Sequence, residues 1–482
     1  MFESFEVLAA IQLVWFVVAF RWYLRRHDEV PLLATGFLFY VAAYRYYAAS
    51  HGLAEWADIT NFGFEAVTSE SALVALRAIV LGETILLGTY MACQNRVFEH
   101  GLFCLAPAAG ARLKAALFFW AVVAILATLY FQKVINERVA AGESLAFSIS
   151  AYLYLFPMVL SSMAVLIIAC WKFGALRGTF DKLVALALMA ALAHLSYSSS
   201  QRFKFLSWIL VSAVVVSFGY APLKRAVLLT LVLGVGMGLV ALAGAMRGMS
   251  DEEMELPQGA WERFVRANDA NMLDGFVLLS QIYPARLDHS YGGEHYEILL
   301  RPIPRSLWPN KPVGGYMNKL RLITRESGFT LGIAPTLFGS FYQEASYSGI
   351  VLLSVVYGAA FAGLMRYGAG LHPVGGLVVR GVICASIIPL MRGGDLPGVY
   401  AWIGMTFWPI LLLLWFKRTE FSLLTKWFEP VSGAPPAPVR GGGRRGYPRP
   451  GVRPGALPIP SLAPSIGVRG RMTARRRPTK VV

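Results

Sequence analysis

The chain has 482 residues, 56% of them hydrophobic and only 15% charged, which excludes an ordinary soluble enzyme of this size. Its net charge of +16 would suit nucleic acid, but eleven cations lie beyond Val431, leaving about +5 for the rest. A nucleic-acid partner is therefore not implied, and the four cysteines (Cys93, Cys104, Cys170 and Cys384) suggest neither a disulfide nor a zinc site.

The hydrophobicity comes in separate blocks of roughly 16 to 22 residues, the length needed to cross a bilayer. About eleven spans are predicted: Phe5 to Phe20, Val30 to Ala49, Ala72 to Ala92, Leu113 to Phe131, Ala151 to Trp171, Leu183 to Leu195, Phe205 to Ala221, Ala226 to Met246, Tyr347 to Met365, Gly376 to Met391 and Gly398 to Phe416. The expected fold is an all-α polytopic membrane protein. Residues 1–246 hold about eight spans, 247–346 a large outer loop with short helices, and 347–430 about three more spans. Residues 431–482 form a disordered, solvated basic tail attracted to anionic headgroups.

Cations set the orientation, because loops kept in the cytoplasm accumulate Lys and Arg. Arg21, Arg25 and Arg26, then Arg96, Arg112 and Lys114, then Lys172, Arg177 and Lys182 mark one side, followed by Lys224, Arg225, Arg366, Arg380, Lys417 and Arg418. Glu3, Glu6, Glu55, Asp58, Glu65 and Glu70 mark the other. The N-terminus and the 247–346 loop are expected outside and the C-terminus inside. The basic cluster after the first apolar segment suits a retained span rather than a cleaved signal, and neither a fixed repeat nor inverted halves are evident.

Five arginines break the charge rule: Arg45 and Arg77 in the outer thirds of their spans, and Arg202, Arg247 and Arg392 at outer ends. An arginine at membrane depth costs roughly 2.5 kcal/mol or more unless it snorkels or pairs. A shared polyanion at the outer headgroup level accounts for the set; separate pairing, for instance of Arg45 or Arg77 with Glu83 or Glu70, is the alternative. Lys204 adds a further cation beside Arg202. In the Met391 to Gly398 turn, Arg392 either meets a ligand or pairs with Asp395.

Within the loop, Trp261 to Leu279 carries apolar residues near helical spacing and is expected to lie on the membrane surface as an amphipathic helix. Asp288 to Glu297 gathers His289, His295, Glu294 and Glu297, either as proton acceptors or as a solvated turn. Arg301 to Pro312 (Arg-Pro-Ile-Pro-Arg-Ser-Leu-Trp-Pro-Asn-Lys-Pro) is expected to present Arg301, Arg305 and Lys311 from a stiff, extended ribbon suited to phosphate or pyrophosphate. After it, Gln343 and Glu344 stand at the outer end of the next span, where Glu344 is the carboxylate best placed for chemistry.

The Ile303 to Pro312 string, Tyr291-Gly292 before it, Gly339 to Gly349 after it and Arg392-Gly393 together resemble the oligosaccharide repeat unit polymerases of bacterial surface polysaccharides, the O-antigen or Wzy-type family. The resemblance implies a multi-pass inner-membrane glycosyltransferase, similar to the C-type (GT-C) membrane transferases. Such an enzyme joins undecaprenyl-pyrophosphate-linked oligosaccharides at the periplasmic face by inverting transfer. Arg202, Lys204, Arg247, Arg301, Arg305, Lys311 and Arg392, with Arg77 and Arg45, would bind the pyrophosphate. Glu344 and His295, then Asp395 and His289, are the candidate bases, and Trp308, Tyr291 and Tyr296 the sugar-stacking faces. No metal or other cofactor is implied. Membrane lipid, a chain-length regulator and a flippase are the implied partners. An O-antigen ligase and a non-enzymatic exporter or flippase are the alternatives; an exporter should carry charge along the bilayer midplane, whereas here Glu83 is the chief charged residue at that depth.

Overall fold

The computed structural model describes residues 4–95, 103–105, 107–140, 158–196, 202–245, 270–301, 315–320, 333–370, 373–416 and 428–430, with residues 303, 307, 308 and 311. Among them the chain is helical apart from a small antiparallel ribbon, Phe103–Leu105 paired with Phe428–Pro430. Helix α1 (Phe5–Arg26) ends at His27, whose left-handed φ of 57° turns the chain into α2 (Val30–Leu38). A π-helical turn, Phe39–Tyr44, leads on into α3 (Arg45–Ser50). Helix α4 (Ser69–Cys93) starts at a capping box in which Thr68 and Ser71 satisfy each other's amides. There follow α5 (Pro107–Ala140), α6 (Val159–Lys172), α7 (Thr179–Ser196), α8 (Arg202–Ser217) and α9 (Pro222–Ala245). The loop region carries α10 (Met272–Ile282), α11 (Gly293–Leu300) and α12 (Tyr316–Lys319), and α13 (Leu337–Gly370), α14 (Pro373–Arg392) and α15 (Leu396–Phe416) complete the bundle.

Each predicted apolar block falls on helix, in whole or in part. Among the described residues, Phe5–Arg26, Ser69–Cys93, Lys114–Val134 and Leu337–Ala369 are long and apolar enough to cross a membrane. Their outward faces support the same reading. Leu13, Val14 and Val17 on α1, with Phe119, Trp120 and Leu126 on α5, are exposed, a surface suited to lipid rather than water.

Helix α13 is broken. Ala345 (φ −160°, ψ 41°) and Ser346 (φ 56°, ψ −144°) leave the helical region, and the rings of Phe341 and Tyr357 lie 4.8 Å apart although sixteen positions separate them in sequence. An unbroken helix would hold them roughly 24 Å apart at 1.5 Å per residue. The chain therefore doubles back, residues 337–344 forming one arm of a helical hairpin and 347–370 the other. The short arm seats Phe338 against Gly82 of α4, where any Cβ would collide with the ring.

Polar contacts collect at two ends of the bundle. At one, Glu29 receives both Arg225 and Arg380, the latter at 2.9 Å, with all three side chains buried. Arg26 reaches the Asn95 carbonyl, and Asp28 accepts from Tyr90 at 2.8 Å. At the other end, Arg45 holds Asp274 of α10 through two bonds of 3.0 and 3.3 Å, and Asp274 also accepts from the Ala57 amide at 3.2 Å. This corrects two expectations. Arg45 pairs with a loop aspartate, not with Glu83, which instead accepts from Gln12 at 2.6 Å. The described part of the 261–279 segment lies inside the protein, because Asp274 draws α10 inward and most of its side chains are buried; residues 261–269 lie outside the described set.

Candidate functional site

The apex of the α13 hairpin is where four of the predicted residues meet: Glu344, His295, His289 and Tyr291. The Ser290 and Tyr291 amides donate to the Gln343 and Glu344 carbonyls at 3.1 and 2.9 Å, fixing the Asp288 to Glu297 segment against the short arm. Tyr291 (φ 45°) and Gly292 (φ 92°) are left-handed, which turns the chain sharply and lets the Gly292 amide point back at Glu344. The Glu344 carboxylate accepts four hydrogen bonds: from Ser290 Oγ at 2.7 Å, the Gly292 amide at 2.5 Å, the His295 amide at 3.3 Å and His295 Nδ1 at 2.7 Å. So saturated an oxygen pair is a poor proton acceptor and a good anchor. Glu344 therefore positions His295.

The proton map of His295 follows from its neighbours. A carboxylate only accepts, so Nδ1 carries the hydrogen, and in the neutral ring Nε2 bears the lone pair. Nε2 lies 3.0 Å from the Tyr357 hydroxyl, and Tyr400 of α15 donates to Tyr357 at 3.0 Å. Neither tyrosine stands out in the sequence, since both lie in apolar helices where a phenol looks like one more ring. His289 differs: it is wedged among Tyr283, Tyr291 and Tyr342, with Nδ1 3.3 Å from the Gln343 carbonyl. That carbonyl can only accept, so His289 buttresses the turn.

A second cluster of charges adjoins the first through α11. Glu294 is buried and takes the Lys319 ammonium at 3.0 Å; Glu297 lies 3.8 Å from the same nitrogen. Burial pushes the carboxyls of Glu294 and Glu297 above the usual range, with Lys319 opposing the rise. Asp395 lies 3.8 Å from Arg301, and its Oδ1 is enclosed without a hydrogen-bond partner. Burial raises its pKa also, against Arg301. The alternative pairing of Asp395 with Arg392 is thus not the one found. Gly393 has φ 70° and leaves no room for a Cβ against the Pro335 carbonyl, so the Arg392 to Asp395 turn packs directly on the residues that precede the hairpin. Ser340 Oγ fastens it through the Gly394 carbonyl at 3.2 Å.

Of the Arg301 to Pro312 string, residues 301, 303, 307, 308 and 311 are described, and among them Lys311 is not presented outward as the extended ribbon would have it. Lys311 folds back to donate to the Arg301 and Ile303 carbonyls, both at 2.9 Å. The end of α11 leaves carbonyls unsatisfied, and an ammonium is a natural partner for them. Lys311 thus closes a loop. Arg301 remains partly open, with Trp308 in the same loop, while Tyr291 and Tyr296 are 76% and 57% exposed. Of the other predicted pyrophosphate ligands, Arg45 is committed to Asp274, and Arg77 lies close enough to Tyr347 to interact electrostatically. Arg392 bears on Tyr316 in the same way. Arg202 and Lys204 open α8, but their side chains are outside the described set, as are Arg247 and Arg305. The chain matches no protein-family model, no curated protein sequence and no solved structure.

Proposed function

We propose that this chain is a membrane-embedded glycosyltransferase that joins undecaprenyl-pyrophosphate-linked oligosaccharide repeat units at the outer face of the bacterial inner membrane. The observation that carries the reading is the 2.7 Å contact between Glu344 and His295 Nδ1, a carboxylate–imidazole pair set beside cations at one end of an apolar bundle. In this reading His295 takes the proton of the acceptor sugar hydroxyl, with Glu344 stabilising the imidazolium that forms. Arg301 and Arg392 stabilise the diphosphate as the anomeric C–O bond breaks, and Tyr291, Tyr296 and Trp308 offer faces for sugar rings. Eleven crossings, a C-type transferase architecture, an outer N-terminus and an inner C-terminus complete the proposal. The gathering of residues 26–29, 94–95, 222–225 and 380 at one end, and 45–57, 274–301 and 392–395 at the other, supports that sidedness.

The test is incubation of the purified protein with a lipid-linked repeat unit, read as a ladder on a gel. Wild type should give discrete longer products, and His295→Ala should slow their formation about 10²- to 10⁴-fold. Unchanged substrate with wild type would overturn the proposal. Transfer only to a lipid A core acceptor would replace polymerisation by ligation.

A further inference from the structure

The His295 lone pair does not face an open cavity. It faces Tyr357, which is buried, and beyond it Tyr400, which is partly exposed. With the imidazole neutral, as a base requires, the directions of the bonds follow. Glu344 accepts from Nδ1, so Nε2 accepts from the Tyr357 hydroxyl; that hydroxyl has spent its hydrogen, so its oxygen accepts from Tyr400. Every hydrogen in the series points toward Glu344, over contacts of 2.7, 3.0 and 3.0 Å. The last oxygen of the series, on the partly exposed Tyr400, retains a lone pair that can accept from a further donor.

We infer that Tyr400 and Tyr357 form a proton relay through which His295 acts as a base on a hydroxyl it does not touch. This rests on the transfer reading above and adds where the acceptor docks: its reacting hydroxyl donates to Tyr400 Oη. As that oxygen attacks the anomeric carbon, the C–O bond to the diphosphate breaks and its electron pair leaves with the diphosphate. The hydroxyl proton passes to Tyr400, the Tyr400 proton to Tyr357 and the Tyr357 proton to Nε2. Both tyrosines end as neutral phenols, and the only new charge is an imidazolium beside the Glu344 carboxylate. Once product has left, the proton returns outward by the same route to water and the starting bond directions are restored.

Three helical segments that are distant in sequence supply the series: α11 gives His295, the long arm of α13 gives Tyr357 and α15 gives Tyr400. The short arm delivers Glu344 to its inner end. A tyrosine kept only for packing would need its ring; this arrangement needs its hydroxyl. Phenylalanine at each position is therefore the discriminating change.

The experiment measures chain extension by purified wild type, Tyr357→Phe, Tyr400→Phe and the double variant in detergent, with the lipid-linked repeat unit varied, in H2O and in D2O. Each single change should lower kcat roughly 10²-fold with KM nearly unchanged. The double variant should be no slower than either single one, because a series is broken once. The solvent isotope effect on kcat should differ between wild type and the variants. Wild-type kcat in either Phe variant, or losses that multiply in the double variant, would overturn the relay while leaving the transfer reading standing. Absence of extension by wild type would overturn both. Should Tyr357→Phe lower the melting temperature, the partly exposed Tyr400→Phe decides alone.

Discussion

Two ion-pair clusters at the two polar ends of the bundle, the Glu29 triad and the groups around the α13 hairpin apex, are handled in opposite ways. At one, Glu29, Arg225 and Arg380 are sealed from solvent, two guanidiniums against one carboxylate. At the other, His295, Arg301 and Lys319 keep 29 to 41% of their side chains exposed, beside Glu344 and Glu294 at 2 to 3% and Asp395 at 32%. A sealed triad locks helices together; a half-open one leaves groups able to meet a ligand while their partners hold them in place. The lesson is that burial of the cation, not the presence of an ion pair, separates an anchor from a site.

The largest effect is expected where the sealed end is broken. Glu29→Ala leaves two buried guanidiniums without their counter-ion and should destabilise the protein by about 3 to 5 kcal/mol, read as a fall in melting temperature and in membrane abundance. Abundance equal to wild type would erase the contrast. Next, Gly393→Ala combines a positive φ with a collision against Pro335 and should cost about 1 to 3 kcal/mol. Chain extension should fall with it, because the turn that carries Arg392 and Asp395 must move.

A smaller effect comes from pH. Glu294, Glu297 and Asp395 have carboxyl pKa values raised by burial, so the folded state binds their protons more tightly than the unfolded one. Their stabilisation is fully present below the ordinary carboxylate range and is lost as pH rises through the raised values. Melting temperature measured between pH 4 and 7 should therefore carry a component falling with pH, and Glu294→Gln should flatten it. The smallest change is Lys311→Ala, which removes a partner of helix-end carbonyls and should cost about 0.3 to 1 kcal/mol with chain extension nearly unchanged. A large loss of extension there would return Lys311 to the anion-binding group.

Much of this was legible in the sequence. The apolar blocks mark the helices, and residue type and spacing alone mark His295, Arg301, Glu344 and Asp395 as site candidates. What could not be read was which partner each would take. The hairpin break at Ala345–Ser346 lies inside a stretch whose composition is continuous with the helix on either side, so nothing local announces that Glu344 turns back over α11. The prolines of the 301–312 string suggested rigidity, yet Lys311 found free carbonyls nearby. Asp274 lies in a segment whose spacing suggests a surface helix, and its partner, Arg45, is 229 positions away. Tyr357 and Tyr400 carried no signal, since a phenol in an apolar helix becomes informative only once a neighbour accepts its hydrogen.

The anchoring of the hairpin apex has a consequence for motion. Four side-chain bonds to Glu344 and two main-chain bonds from Ser290 and Tyr291 must break before the 288–295 turn can lift from the short arm. The turn and the arm should consequently open as one cooperative unit, their amides losing protection from deuterium exchange together.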